Sequence, residues 1–236
     1  MLHDGKGVGE VLIDLHVHTN VASYDSNLDP VTLIRIAKSI GLHGVCVTEH
    51  DKGWDLHAAQ KLAREHDFVF LRGMEVTTDL GHILVYGLEE YVPGILYAET
   101  LRQVVDRVNG VMVAAHPFRK AFTPLPNTPI GTPPPTLTVE EACSLPVFEV
   151  VDAIEVLNGG TGDRENALAL AVSQRLQMRG TGGSDAHSEM GLGCYVTEFE
   201  NPIRDEADLI RELKRGRYRP VNRRGRPLPP FHSFPG

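Results

Sequence analysis

The 236-residue sequence is 42% apolar and 23% charged, and its three cysteines (Cys46, Cys143 and Cys194) form no C-x-x-C pair. One large domain with an ordinary core fits these values, whereas a disulfide framework or a thiolate zinc site does not. The formal charge of −8 argues against a protein that coats nucleic acid, and no stretch approaches the roughly 18 continuous apolar residues of a membrane span, so a cytoplasmic protein with no membrane partner is expected.

Residues 1–10 read as a tail, and VLIDL (11–15) as a first strand. Asp29-Pro30 opens a helix, with Asp29 as its cap and Pro30 at the first helical position. Leu33, Ile34, Ala37 and Ile40 keep the helical period until Gly41. GVCVT (44–48) is a second strand, followed by a helix from Trp54 to His66 and the strand FVFLRG (68–73). HILVYG (82–87), a helix over 98–109 and the strand VMVAA (111–115) come next. The stretch 119–138 carries six prolines and suits neither a helix nor a central strand. It reads as a surface excursion or as a lid, because it directly follows His116. AIEVL (153–157), a helix near 163–177, a strand near 179–182, CYVTEF (194–199) and a helix near 205–215 complete the series. Residues 216–236 read as a basic, proline-rich tail. Positions 214–226 hold seven Lys or Arg and no acid, which suits a solvated run or an attractor of polyanionic substrate.

Apolar strands alternating with helices imply parallel βα units. The count points to an α/β fold, a distorted, TIM-like (β/α) barrel of about seven strands over residues 11–215.

Candidate ligands fall where these strands end. In DLHVHT (14–19), His16 and His18 are two apart on an extended segment and so share a side. Glu49-His50-Asp51 follows the second strand, Glu75 the third, and His116 follows VMVAA. Asp185 and His187 sit in GGSDAH (182–187). In a parallel barrel all these ends lie on one face. Buried and unpaired, such groups would cost several kcal/mol each, on the order of the usual desolvation penalty, and binding metal removes that cost. His3, His43, His57, His66 and His232 fall off the pattern and read as surface or capping residues. Arg119, Asn158 and Arg164 are candidate substrate contacts, Arg119 as a guanidinium clamp on phosphate. Asp51 is a candidate proton donor or a partner orienting a histidine.

Taken in order, DLHVHT, SYDS (23–26), VTEHD (47–51), GMEVT (73–77), GHILVYG (81–87), AAHPF (114–118), EVLNG (155–159) and GGSDAH resemble the polymerase and histidinol phosphatase (PHP) family of metal-dependent phosphoesterases. The resemblance implies a distorted seven-stranded barrel with two or three divalent ions (manganese, zinc or iron). By position it implies His16, His18, Asp25, His50, Glu75, His82, His116, Asp185 and His187 as ligands. Six neutral histidines, three carboxylates and three divalent ions leave a local charge of about +3, which suits a phosphate and a hydroxide.

The expected activity is hydrolysis of a phosphate ester by a metal-bridging hydroxide. The expected substrate is a small phosphorylated metabolite, a nucleotide or a short oligonucleotide. Histidinol-phosphate phosphatase, amidohydrolase-type cleavage and a non-catalytic metal-binding regulatory module are the alternatives.

Overall fold

Polar residues end the apolar runs at His16, Glu49 and Glu75, but they do not end the strands. A computed structural model describes residues 10–129 and 132–232; the tail 1–9 with His3, residues 130–131 of the proline-rich stretch and residues 233–236 lie outside the described residues. The strands are β1 (Val11–Val17), β2 (Gly44–His50), β3 (Val69–Thr78), β4 (Gly81–Tyr86), β5 (Val111–Ala114), β6 (Ala153–Asn158), β7 (Arg179–Gly183), β8 (Tyr195–Phe199) and β9 (Tyr218–Asn222). The helices are α1 (Pro30–Ser39), α2 (Leu56–His66), α3 (Ala98–Arg107), α4 (Val139–Cys143), α5 (Val147–Val150), α6 (Asp163–Leu176) and α7 (Glu206–Arg215). Asp29 caps α1 as expected, accepting from the Val31 and Thr32 amides.

The sheet is mixed, in the order β7-β6-β5-β4-β3-β2-β1-β8-β9. Nine strands among the described residues replace the expected seven, and the barrel is nearly closed. Only β1–β2, β2–β3, β5–β6 and β6–β7 pair in parallel; β3–β4, β4–β5, β1–β8 and β8–β9 are antiparallel. The β3–β4 connection shows the cause. Only Asp79 and Leu80 separate these strands, and Gly81 has φ +101°. That link is too short for a helical crossover, so the chain reverses. β9 lies within the residues expected as tail. Arg219 and Pro220 mask the strand pattern, and Pro220 is tolerated because β9 is the edge of the sheet.

Three apolar clusters surround the sheet. Ile13, Leu15, Leu71, Leu84 and Tyr86 join Leu209 and Leu213 of α7 in one. A second packs Leu33 and Ile34 of α1 against Val45 and Val47. A third joins Met74 and Val85 to Leu101, Phe148 and Leu168. The expected basic tail is held by acids of the folded domain: Arg217 pairs with Glu212, Arg219 with Glu198, and Arg224 and Arg226 with Asp163.

The seam where β1 meets β7 positions the site. The Asp185 amide donates to the His16 carbonyl at 2.7 Å, and the His18 amide to that of Ala186 at 3.0 Å. A Cβ on Gly183 would lie 2.4 Å from His16 Cβ, and one on Gly182 would lie 2.6 Å from the Val196 carbonyl. These glycines therefore serve close strand approach. Asp14, fully buried, fastens the same seam by accepting from the Ser184 amide at 2.9 Å and the Gly193 amide at 3.1 Å.

Candidate metal centre

Pairing shifts within β1 between Asp14 and Val17, and within β6 between Glu155 and Leu157. Such irregularities re-aim side chains at strand ends. Beyond β1, the chain turns so that His16 and His18, both fully buried, bring their Nε2 atoms to 3.1 Å. His116 and Asp185 hold φ values of +30° and +53°, a conformation that non-glycine residues adopt at a cost and that clusters at functional sites.

Glu75 is the centre of the arrangement. Its Oε1 lies 2.7 Å from His82 Nδ1 and 2.8 Å from His116 Nε2. Its Oε2 lies 3.1 Å from His50 Nδ1, 3.2 Å from His18 Nε2 and 3.4 Å from His16 Nε2. Asp185 Oδ1 stands 3.4 Å from His18 Nε2 and 3.6 Å from His16 Nε2. Asp25 Oδ2 lies 3.3 Å from His50 Nε2 and 3.4 Å from His187 Nε2. All nine expected ligands thus meet at one end of the barrel. Among the described residues, three overlapping groups have ligand atoms within 4.8 Å of one another: His16, Glu75 and His116; His16, His18 and Asp185; and His18, His50 and His187.

These residues fit metal on structural grounds. Glu75 Oε2 and Asp185 Oδ1 are buried without a hydrogen-bond partner. Buried oxygens are rarely left so unless another group completes them. Donors of imidazole nitrogen and carboxylate oxygen suit zinc, manganese or iron.

The charges also follow from the geometry. Burial would raise the Glu75 carboxyl, but His16 and the hydrogen bond from His116 outweigh it and hold the group well below the carboxylate range. Burial favours neutral His16, yet Glu155 and Glu75 carry it up to about 10. Burial lowers His18 and His116, and with the facing His18 imidazole it brings His187 down to about 4. Burial thus favours the neutral imidazole at His18, His116 and His187, whereas the facing carboxylates favour the protonated form at His16 and at His50, whose hydrogen bond with Glu75 is the largest cause, so a metal ion held there would displace a proton.

Other expected residues take different places. The Arg119 guanidinium donates to Asp185 Oδ2 and, at 3.2 Å, to Asn158 Oδ1. Asn158 is fully buried and donates to Glu155 Oε2 at 2.9 Å and Asp185 Oδ2 at 3.1 Å. Arg164 lies 3.8 Å over the Phe122 ring. Asp51 accepts from the Thr77 amide at 2.8 Å, and the three close ligand groups do not include it.

Two buried acids lie behind these residues: Glu49, which the sequence placed only among the strand-end candidates, and Glu155, to which it gave no role. Glu155 Oε1 lies 2.9 Å from His16 Nδ1. Glu49 accepts from Ser23 Oγ, which sits 3.1 Å from His18 Nδ1, and from Trp54 Nε1 at 2.7 Å. Ser23 gives its one proton to Glu49, so it accepts from His18. The available signal was a single charge inside the apolar strand AIEVLN, since such residues are seldom buried unpaired.

The PHP domain model matches residues 14–118, and the PHP-associated model matches residues 163–218. The chain belongs to the PHP family. Over 115 residues it is 28% identical to the uncharacterized protein MJ1587 of Methanocaldococcus jannaschii, covering 44% of this chain and 67% of that one. A Bifidobacterium adolescentis protein bearing the provisional name metal-dependent phosphoesterase superposes with TM-score 0.58 at 19% identity, over 91% of this chain and 98% of its own. The lesion-specific endonuclease PfuEndoQ of Pyrococcus furiosus superposes with TM-score 0.55 at 20% identity, over 90% of this chain and 58% of its own. At these identities the structures share the PHP fold with this chain.

Proposed function

We propose that this PHP protein hydrolyses phosphate esters with two or three divalent ions (manganese, zinc or iron) held by His16, His18, Asp25, His50, Glu75, His82, His116, Asp185 and His187. The observation that carries the reading is the pair of partnerless buried oxygens, Glu75 Oε2 and Asp185 Oδ1, facing the same two imidazoles. Such ions supply Lewis acidity toward phosphoryl oxygens and acidify water. Arg119 supplies a fixed cation next to that charge and grips a nonbridging phosphate oxygen. Beside His82 and His116 lies a cavity of about 460 Å³ lined by Leu80, Pro117, Lys120, Leu145 and Val147. It receives the organic part of a small phosphorylated metabolite, a nucleotide or the end of a short oligonucleotide.

The test is a panel of phosphomonoesters, nucleotides, oligonucleotides and amide substrates, offered to protein loaded with each metal. Turnover of a phosphate ester that chelation abolishes supports the reading. Absence of turnover across the esters, or turnover of amides alone, overturns it.

A further inference from the structure

We infer that Glu155 is a positioning residue of the metal centre, choosing which nitrogen of His16 faces the ions and tying that choice to Asp185 and Arg119. This inference rests on the reading of the cluster as a metal site.

The buried glutamates Glu75 and Glu155 are chemically different. Glu75 keeps one oxygen without a hydrogen-bond partner. Glu155, 1% exposed, has none to spare: Oε1 meets His16 Nδ1 at 2.9 Å, and Oε2 accepts from the His116 amide and from Asn158 Nδ2, each at 2.9 Å. A carboxylate engaged in this way acts through its partners rather than as a ligand. A carboxylate accepts and does not donate, so His16 Nδ1 must carry the proton. A metal ion held beside Glu75 and Asp185 would then displace the Nε2 proton and take the Nε2 lone pair.

The same carboxylate reaches the opposite side of the centre. Asn158 gives its amide hydrogens to Glu155 and Asp185, while its oxygen accepts from Arg119. Asp185 divides its own oxygens: Oδ2 takes Arg119 and Asn158, and Oδ1 is left toward His16 and His18. Ligands and elements from β1, β5, β6 and the β7 end are thus set by one chain of bonds. Gly183 makes room for it, because a Cβ there would lie 2.9 Å from Glu155 Oε1. Asn158 accordingly acts by orientation, not by contact with substrate.

The experiment uses the full chain and zinc alone as probe. Zinc stoichiometry and affinity are measured by chelator competition, and the His16 tautomer by nitrogen-15 NMR of the zinc-loaded protein. Glu155→Gln is expected to weaken zinc by about 10- to 100-fold, the usual effect of losing such a partner, and to lose the single Nδ1–H form of His16. Glu155→Asp is expected to restore part of both. Asn158→Ala retains the Glu155–His16 contact, so it is expected to preserve the His16 tautomer while weakening zinc. It also serves as the test if Glu155→Gln fails to fold. Affinity within about twofold of wild type in Glu155→Gln, or a changed His16 tautomer in Asn158→Ala, overturns the inference. Failure of the wild-type protein to bind zinc, manganese or iron instead overturns the reading on which it rests.

Discussion

His82 begins its strand while Glu75 sits deep in the preceding one, yet His82 Nδ1 and Glu75 Oε1 lie 2.7 Å apart. The antiparallel turn between β3 and β4 explains this, since the first residues of a reversed strand stand level with the last residues of its partner, as Thr77 does with His82. A histidine at a strand start therefore reaches the same face as those at parallel strand ends.

Glu75 faces five imidazoles, so its charge holds the cluster together. Glu75→Gln keeps the shape and removes the charge. At least one equivalent of metal per chain is expected to be lost, together with turnover, as measured by elemental analysis and by the ester panel.

Chelation tests the same site through stability. A ligand that binds only the folded state at about 100 times its dissociation constant adds about 2.7 kcal/mol. Removing the ions is expected to lower the midpoint of thermal unfolding, and adding them back is expected to restore it. An unchanged midpoint would show that the cluster does not take up metal.

Asp14 supports the site without belonging to it. Asp14→Ala leaves the buried Ser184 and Gly193 amides without their acceptor, at a cost of about 2–6 kcal/mol summed over the two groups. Urea unfolding measures this, and metal content per folded chain is expected to change little.

Arg119→Ala is expected to lower kcat/KM for phosphate esters by about 100-fold or more, the scale of losing a charge-stabilising donor. Arg119→Lys is expected to recover part of this, because the cation survives and the planar fork does not. Equal bound metal in both variants, measured alongside the kinetics, separates clamp from ligand effects.

Asp208 on α7 gives a dependence on pH away from the cluster. Hydrogen bonds from Arg204 lower its carboxyl, burial opposes them and Arg211 adds to them, bringing it down to about 2 from 3.8. A folded-state value below the unfolded one means stability that is full above pH 3.8 and is lost as pH falls toward 2. Urea unfolding of Asp208→Asn against wild type is expected to show a deficit near pH 5 that narrows over this window.

The histidines and acids at strand ends were legible because strand periodicity and barrel geometry both place them on one face. Glu155 was not, because it lies inside β6 and its role depends on a register shift that residue order does not display. Residue order also does not display that Asn158 is buried against Glu155 and Asp185, or that Asp51 accepts from the Thr77 amide. Strand β9 was hidden because Arg219 is matched by Glu198 on the paired strand β8, 21 residues earlier, a pairing no local pattern reveals. The mixed sheet could be anticipated only at the β3–β4 turn, where the spacing is too short for a crossover.

The seam between His16 and Asp185 has a consequence for assembly during synthesis. The group of His16, Glu75 and His116 draws only on the first 116 residues, whereas the other two close groups each wait for Asp185 or His187. Long-range contacts form late because the intervening chain must first be ordered. A chain emerging from the ribosome can thus present one complete ion-binding group well before the remaining two exist. Under the proposed function, an ion held by that group can arrive as a folding partner, before the rest of the barrel is finished.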